Sequence, residues 1–201
     1  MMNQIKSPND TEINPPADTH ASKNPSEPFK DILFLFLFSG IIIGLDVWTK
    51  EVVETNLSLG QWWLPESLSN LQPYFRIVHL QNKGTAFGMF RDQNQINLVI
   101  SAIAVLASLF IIYIFPKIEK NERALRAALI LQLAGAVGNL ISRIRYGYVL
   151  DFISVGNFPV FNVADSSITI GLVVLLFGMF WQEHKERKQV RSAETSEDDS
   201  P

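Results

Sequence analysis

The sequence predicts an all-α membrane protein, with four transmembrane helices and a small extramembrane β-element on the outer side. Mean hydropathy is positive at +0.14, and 47% of the residues are hydrophobic although both ends of the chain are polar. Four apolar runs have the length that a helix needs to cross about 30 Å of hydrocarbon. They cover about residues 32–48, 96–115, 124–141 and 163–181.

Charge and composition exclude several classes of protein and site. The net charge of -3 gives no reason to expect a nucleic-acid partner. The chain has no cysteine, which excludes disulfides, thiolate-bound metals and a cysteine nucleophile. The three histidines are scattered without metal-ligand spacing, and no HExxH, GxSxG or glycine-rich phosphate loop is present. The sequence therefore predicts no metal site and no cofactor.

The polar ends flank a single membrane domain. Residues 1–29 are rich in Asn, Pro, Ser, Asp and Thr, and this tail is expected to be disordered because it cannot bury enough apolar surface. Residues 30–182 hold the four spans, and residues 183–201 form a charged C-terminal tail, with disorder expected beyond Lys188. No cleaved signal peptide is expected, since the first apolar run begins late and no small-residue cleavage site follows it.

The first span ends in the sequence LDVWTK, where Asp46 and Lys50 are spaced i,i+4. Residues at this spacing share a helix face, so the two side chains can form a salt bridge. A salt bridge that closes the helix end is the simplest interpretation of the pair.

A long polar interval, residues 51–95, separates the first two spans. Trp62 and Trp63 are typical of side chains that anchor a protein at the membrane interface. Residues 74–78 favour a strand, and the turn sequence at residues 82–84 follows. We expect a small β-element with a loop returning towards the bilayer surface, although an ordinary hairpin loop fits the same local pattern.

Basic residues predict the orientation of the chain. Lys117, Lys120 and Arg123 lie in or next to the short loop between spans two and three, and basic residues gather on the cytoplasmic side of a membrane. Both termini are therefore expected in the cytoplasm. Residues 51–95 and the 142–161 loop then face outward, close to the outer leaflet.

Two aspartates beside the fourth span are the candidate catalytic pair. Asp151 is expected in the loop before that span and Asp165 in its first turn, so both lie at the outer end of the helices. Asn162 and Asp165 also fit a helix start, in which the Asn caps and the acidic residue faces the positive helix end. When two carboxylates share a site, one pKa rises. One acid and one base around a water can hydrolyse a peptide bond without a metal.

The third span carries polar residues on the side of the same site. Asn139 and Arg143 are spaced i,i+4 and share a helix face. Arg143 can pair with an aspartate, bind a substrate carbonyl group or reach a lipid headgroup. Gly135 and Gly138 are among the small residues of this span that permit close helix packing.

A second function remains open from these residues alone. Ionisable groups at membrane depth also serve as ion pathways and proton relays. As an alternative, Asp151 and Asp165 could serve in a small four-helix transport or binding protein that relays protons or cations.

Four blocks of sequence together resemble signal peptidase II, the bacterial lipoprotein signal peptidase family. The blocks are LDVWTK, QNKGTAFGMF, GNLISRIRYGYVLDFI and FNVADSSITIG, and the resemblance covers about residues 32–181. It implies a multi-pass aspartyl endopeptidase of the bacterial inner membrane. Its expected partners are membrane lipids and prolipoproteins that carry a diacylglyceryl-cysteine, and cleavage falls just before that cysteine. Inhibitors of the globomycin type are expected to bind at the aspartate pair.

The resemblance also assigns roles by position. It implies that Asp151 and Asp165 are catalytic, and its substrate-binding or supporting positions fall on Asn139, Arg143, Asn162, Asn82, Gly84, Asp46 and Lys50. The chain departs from the family pattern at Ser142, where the family often has Asp, and at Thr85, where Ala is usual.

Overall fold

The computed structural model describes residues 27–84 and 93–198 and confirms the predicted fold class. The helices are α1 Pro28–Asn56, α2 Gln93–Ile114, α3 Arg123–Tyr146 and α4 Val163–Asp198, and the strands are β1 Trp62–Trp63, β2 Phe75–Asn82 and β3 Val149–Val155. Short 3-10 turns cover Glu66–Leu71 and Phe115–Lys117. Each of the four helices contains a stretch long and apolar enough to cross a membrane. The predicted disorder of the N-terminal tail falls on residues 1–26, which lie outside the described residues.

Helix α3 is the centre of the bundle and packs against each of the other three helices. Its apolar stretch is 44% buried, against 17% for the corresponding stretch of α1, α2 and α4. Glycines on α3 permit this close helix packing, as predicted. A Cβ at Gly135 would lie 2.4 Å from the carbonyl oxygen of Ala164, and one at Gly138 would lie 2.7 Å from a carboxylate oxygen of Asp46. Any larger residue would push α3 away from α4 and α1.

A buried ion pair ties α1 to α3 at the end of the bundle away from the sheet. Arg126 donates to Asp31 at 2.6 Å, and both side chains are almost fully buried. The guanidinium also lies 4.3 Å from the centre of the Phe115 ring and donates to the carbonyl oxygen of Ile118. The Arg126–Asp31 pair fixes α1 relative to α3 at the end of the bundle opposite the sheet. From the sequence alone, Arg126 was seen only as a basic residue near the start of the third span.

The three strands form one antiparallel sheet in the order β1-β2-β3. Strand β2 confirms the predicted β-element. Strand β3 corrects the prediction that Asp151 lies in a loop, because Asp151 lies within this strand and pairs with Leu80 of β2. The local pattern of β3 is a short, nearly continuous apolar run, and its pairing partner lies far away in the sequence. Leu150 and Phe152, on either side of Asp151, pack on Val53 of α1.

Two helices extend well past their predicted limits. Helix α1 continues to Asn56, beyond the end predicted near residue 48, and brings Val53 and Glu54 alongside the sheet. Helix α4 continues to Asp198, so the disorder expected beyond Lys188 is wrong for residues 189–198. The reason is helix propensity: Glu, Lys, Arg and Ala continue a helix readily once a span has nucleated it.

Candidate active site

Asn162 is the hub of the site and is completely buried just before α4. Its Oδ1 accepts a hydrogen bond from the Asp165 main-chain N–H at 2.9 Å, and the Asp165 carboxylate accepts one from the Asn162 main-chain N–H at 3.3 Å. This reciprocal capping confirms the predicted helix start. Its Nδ2 donates to Asp151 at 2.7 Å. One side chain thus joins the two predicted catalytic carboxylates.

The Asp151 carboxylate is 4% exposed, and each of its oxygens accepts a hydrogen bond. Oδ1 accepts from Asn162 and Oδ2 from Asn82 Nδ2, at 2.7 and 3.0 Å. Burial raises the pKa of Asp151 to about 6, and the negative charge of Asp165 acts in the same direction. The donors from Asn82 and Asn162 and the charge of Lys50 oppose this rise. A carboxyl group in this environment can exchange a proton near neutral pH.

Asn139 connects the carboxylates to helix α1. Its Nδ2 donates to Asp165 Oδ1 at 2.7 Å, and its Oδ1 accepts from Lys50 Nζ at 2.9 Å. Lys50 also donates to Asp46 at 2.7 Å, which confirms the predicted i,i+4 salt bridge. The other Asp46 oxygen accepts from the main-chain N–H of Ala164 at 2.8 Å. The pair therefore does more than close a helix end, because it holds α1 against the first turn of α4.

Asn82 and Gly84 lie at the end of β2 next to Asp151. Asn82 uses its Nδ2 for Asp151, and its Oδ1 accepts from the Gly84 main-chain N–H at 2.9 Å. Gly84 has a φ of +75°, a left-handed conformation that side chains other than glycine rarely adopt. The turn thus orients the Asn82 amide. The remainder of the predicted substrate loop, residues 85–90, lies outside the described residues.

Arg143 lies near the carboxylates without bonding to them. Its charge interacts with those of Asp165 and Asp151, but in residues 27–84 and 93–198 it makes no ion pair, and its buried Nε has no hydrogen-bond partner. Ser142 beside it is buried, and its hydroxyl donates to the Gly138 carbonyl oxygen of the same helix. Ser142 therefore places a neutral hydroxyl at the position where the family often has an aspartate.

The fixed charges of the site leave one negative charge when both carboxylates are ionised. Asp46 and Lys50 compensate each other within 2.7 Å. Asp151, Asp165 and Arg143 then sum to one negative charge when both carboxylates are ionised, and to zero when the pair holds one proton. Two carboxylates that share a site do not both ionise cheaply. The pair can therefore supply one acid and one base.

Hydrogen bonds join eight of the nine predicted residues in one network, namely Asp151, Asp165, Asn139, Asn162, Asn82, Gly84, Asp46 and Lys50. Gly84 joins through Asn82, and Arg143 stays outside the network as far as the described residues 27–84 and 93–198 go. The main-chain N–H of Ala164 is an additional member that sequence reasoning missed. A main-chain group has no residue-type signal, so only the fold identifies it.

Comparisons with known proteins agree on one family. The family model for signal peptidase (SPase) II matches residues 38–181. A lipoprotein signal peptidase of Halalkalibacterium halodurans is 35% identical over 161 residues, which cover 78% of this chain and 98% of that protein. One of Dehalococcoides mccartyi is 37% identical over 153 residues, covering 76% and 92%. A solved bacterial membrane enzyme is similar in fold, with a TM-score of 0.63 and 27% identity over 74% of this chain and 93% of its own.

Proposed function

Because the chain belongs to the signal peptidase II family, we propose that it is an aspartic endopeptidase that removes signal peptides from prolipoproteins. The observation that carries the aspartic mechanism is the joint hydrogen bonding of Asp151 and Asp165 by Asn162. The substrate we propose carries a diacylglyceryl-cysteine, and cleavage falls just before that cysteine. The relatives are named as peptidases, which favours this function over a proton or cation relay.

In the proposed reaction, the two carboxyl groups of the dyad share one proton. The ionised group takes a proton from water while the water oxygen attacks the scissile carbonyl carbon, and the protonated group donates to the carbonyl oxygen. The tetrahedral intermediate then collapses, the C–N bond breaks, and the leaving nitrogen receives a proton from the dyad. Asp151, with a pKa of about 6, can take either part near neutral pH.

Neighbouring residues have supporting roles in this proposal. Asn82 orients Asp151, and Asn139 orients Asp165, through the hydrogen bonds described above. Lys50 fixes the Asn139 amide, so that its N–H group points to Asp165. Arg143 has a buried Nε without a partner in the described part of the chain, and we assign it to a substrate carbonyl group. Burial without a partner is costly, and a bound substrate would remove that cost.

We also place the protein in the bacterial inner membrane, with both ends in the cytoplasm and the dyad near the outer leaflet. The four helices alternate in direction, so α1 begins and α4 ends on the side opposite the sheet. The lipid-modified cysteine would then remain in the outer leaflet while the peptide bond enters the dyad. Inhibitors of the globomycin type are expected to compete with the substrate there.

The test is cleavage of a diacylglyceryl-modified prolipoprotein by the purified protein in detergent. Wild type should cut just before the modified cysteine, and Asp151→Asn and Asp165→Asn should each abolish cleavage while the protein stays folded. Asp31→Asn is a matched control, because Asp31 is also a buried carboxylate but lies at the opposite end of the bundle. It should keep cleavage at temperatures where the variant remains folded.

Two outcomes would contradict the proposal. Cleavage that persists in either dyad variant would show that the dyad is not the catalytic group. A folded wild type that cuts no prolipoprotein but conducts ions in liposomes would establish the relay instead.

A further inference from the structure

Two glycine turns lie just beyond one end of the sheet. Asn82 pairs with Val149 at the last position of the β2–β3 ladder, and Gly84 and Gly147 each lie two residues further out. Both glycines have a left-handed conformation, with φ of +75° and +78°. The Gly84 turn orients Asn82 towards Asp151, as described above, so this end of the sheet determines part of the geometry of the dyad.

The Gly147 turn connects α3 to β3. Its main-chain N–H donates to the Arg143 carbonyl oxygen at 2.9 Å and closes the helix, and β3 begins two residues later. The turn lies four residues after Arg143 and four residues before Asp151. Helix α3 is held by its own hydrogen bonds and by its packing on three other helices. A shift of the Gly147 turn would therefore act mainly on β3 and Asp151.

The first turns of α2 pack on both glycine turns. A Cβ at Gly84 would lie 3.1 Å from the side chains of Ile96 and Ile100, so the main chain of this turn contacts them directly. Asn97, which follows Ile96, donates from Nδ2 to the Gly147 carbonyl oxygen. We call Ile96, Asn97 and Ile100 the α2 brace. The brace holds the Gly84 turn by contact and the Gly147 turn by a hydrogen bond.

The Asn97 amide has one atom bonded and the other without a partner. Asn97 Oδ1 is buried, and no group in residues 27–84 and 93–198 bonds to it. A buried acceptor without a partner is costly, and a leucine of similar size would avoid that cost. The gain that offsets it is the donation to Gly147, since a carbonyl oxygen at the end of a helix has no partner within that helix.

We infer that Asn97 is a positioning residue, which fixes the Gly147 turn and thereby keeps Asp151 within hydrogen-bond reach of Asn82. This inference rests on the proposed role of Asp151. Without the bond to Asn97, the Gly147 turn and the start of β3 move away from α2, whereas Asn82 stays with the rest of the brace. The Asn82–Asp151 bond, at 3.0 Å, then lengthens. A displacement of about 1 Å at a catalytic group can cost on the order of a hundredfold in rate.

Asn97→Leu tests the role of this bond. Leucine is similar in size and leaves no acceptor buried, so the variant should keep its melting temperature. Its kcat should fall about tenfold, less than the full cost of a displacement of about 1 Å, and its KM should change less than its kcat. The assay is cleavage of diacylglyceryl-modified prolipoprotein, with kcat and KM measured separately, together with thermal unfolding in detergent. Asn97→Ala removes the amide without adding bulk, and it decides the question if Asn97→Leu does not fold.

Gln132→Leu is the matched control. Gln132 Nε2 also donates to a main-chain carbonyl oxygen of another helix, that of Ile168 at 3.0 Å, but this bond joins α3 to α4. Gln132 lies about two helical turns before Asn139, away from both glycine turns. The control therefore loses the same kind of bond between helices without affecting the end of the sheet. Its kcat should equal that of wild type.

A double variant identifies the route by which Asn97 acts. In Asn82→Ala the bond to Asp151 is already absent, so adding Asn97→Leu should lower kcat by less than it does in wild type. Wild-type kcat in Asn97→Leu, or an equal fall in Gln132→Leu, would overturn the positioning role. Fully independent effects in the double variant would overturn the route through Asn82. Failure of the proposed function is distinct from these results, because Asp151→Asn itself would then still cleave.

Discussion

Replacement of Asn162 should lower the free energy of unfolding and raise the apparent pKa of Asp151, and the two effects can be separated. Asn162→Ala removes a helix cap, about 1 kcal/mol, and a hydrogen bond to the buried Asp151 carboxylate, about 1.5–3 kcal/mol. The free energy of unfolding should therefore fall by about 2.5–4 kcal/mol. The lost bond acts on the ionised form of Asp151, so at 1.36 kcal/mol per pH unit the apparent pKa of about 6 should rise by about one to two.

Asn162→Ser separates the two effects. Serine caps a helix well but is too short to reach Asp151, so this variant should keep the cap and lose only the bond. The assay is the pH dependence of kcat/KM for prolipoprotein cleavage, together with thermal unfolding in detergent. In both variants, the apparent pKa that the pH profile reports for Asp151 should rise by the same amount. Asn162→Ala should be less stable than Asn162→Ser by about 1 kcal/mol.

A wild-type pH profile in Asn162→Ser would refute this reasoning, because Asn162 would then cap the helix without acting on Asp151. A profile shifted in Asn162→Ala but not in Asn162→Ser would refute it too, since the shift would then follow from loss of the cap. Asn82→Ala provides an independent comparison, because Asn82 donates to the other Asp151 oxygen at 3.0 Å and caps no helix.

Three further predictions follow from the same geometry. The raised pKa of Asp151 means that the folded state binds more protons than the unfolded state between pH 3.8, the ordinary pKa of an aspartate, and about pH 6. Wild-type stability should therefore fall by up to about 3 kcal/mol as pH rises through this range, and thermal scans of Asp151→Asn should lack that decrease. Gly135→Ala should lower the free energy of unfolding by about 1–3 kcal/mol, because the added Cβ would lie 2.4 Å from the Ala164 carbonyl oxygen. The measurement is thermal unfolding, and an unchanged melting temperature would contradict the close packing of α3 on α4. Because the chain has no cysteine, a single introduced cysteine reports the side of the membrane on which it lies. In intact cells, a thiol reagent that does not cross the membrane should label Asn157→Cys but not Lys120→Cys. The reverse labelling pattern would show that the orientation is opposite to the proposed one.

Local sequence was sufficient for the helices and for the helix start at the site. Each span is a run of apolar residues whose main-chain hydrogen bonds all close within the run. Asn162 and Asp165 are three residues apart, and their mutual capping is equally local. For the same reason the i,i+4 pair Asp46–Lys50 was predictable. The resemblance then indicated which of the polar residues belong to one site.

The sheet was predictable only in part. The β-propensity of residues 74–78 identified β2, but β3 pairs with it across about seventy residues of sequence. Nothing local in the segment around Asp151 specifies that partner. Helix α1 also had to extend to Asn56 before Val53 could pack on Leu150 and Phe152. Asp151 was therefore expected in a loop, although it lies in the middle of a strand.

The sequence by itself determined the four membrane helices, their alternating directions and the identity of the polar residues. These follow from composition and short-range periodicity, because a helix satisfies its main chain without help from distant residues. Only the tertiary structure decided how those residues meet. Asn82 bonds to Asp151 across 69 residues, Lys50 to Asn139 across 89, and Ala164 to Asp46 across 118. Such contacts depend on the packing of α3 against α1 and α4, and on the pairing of β2 with β3.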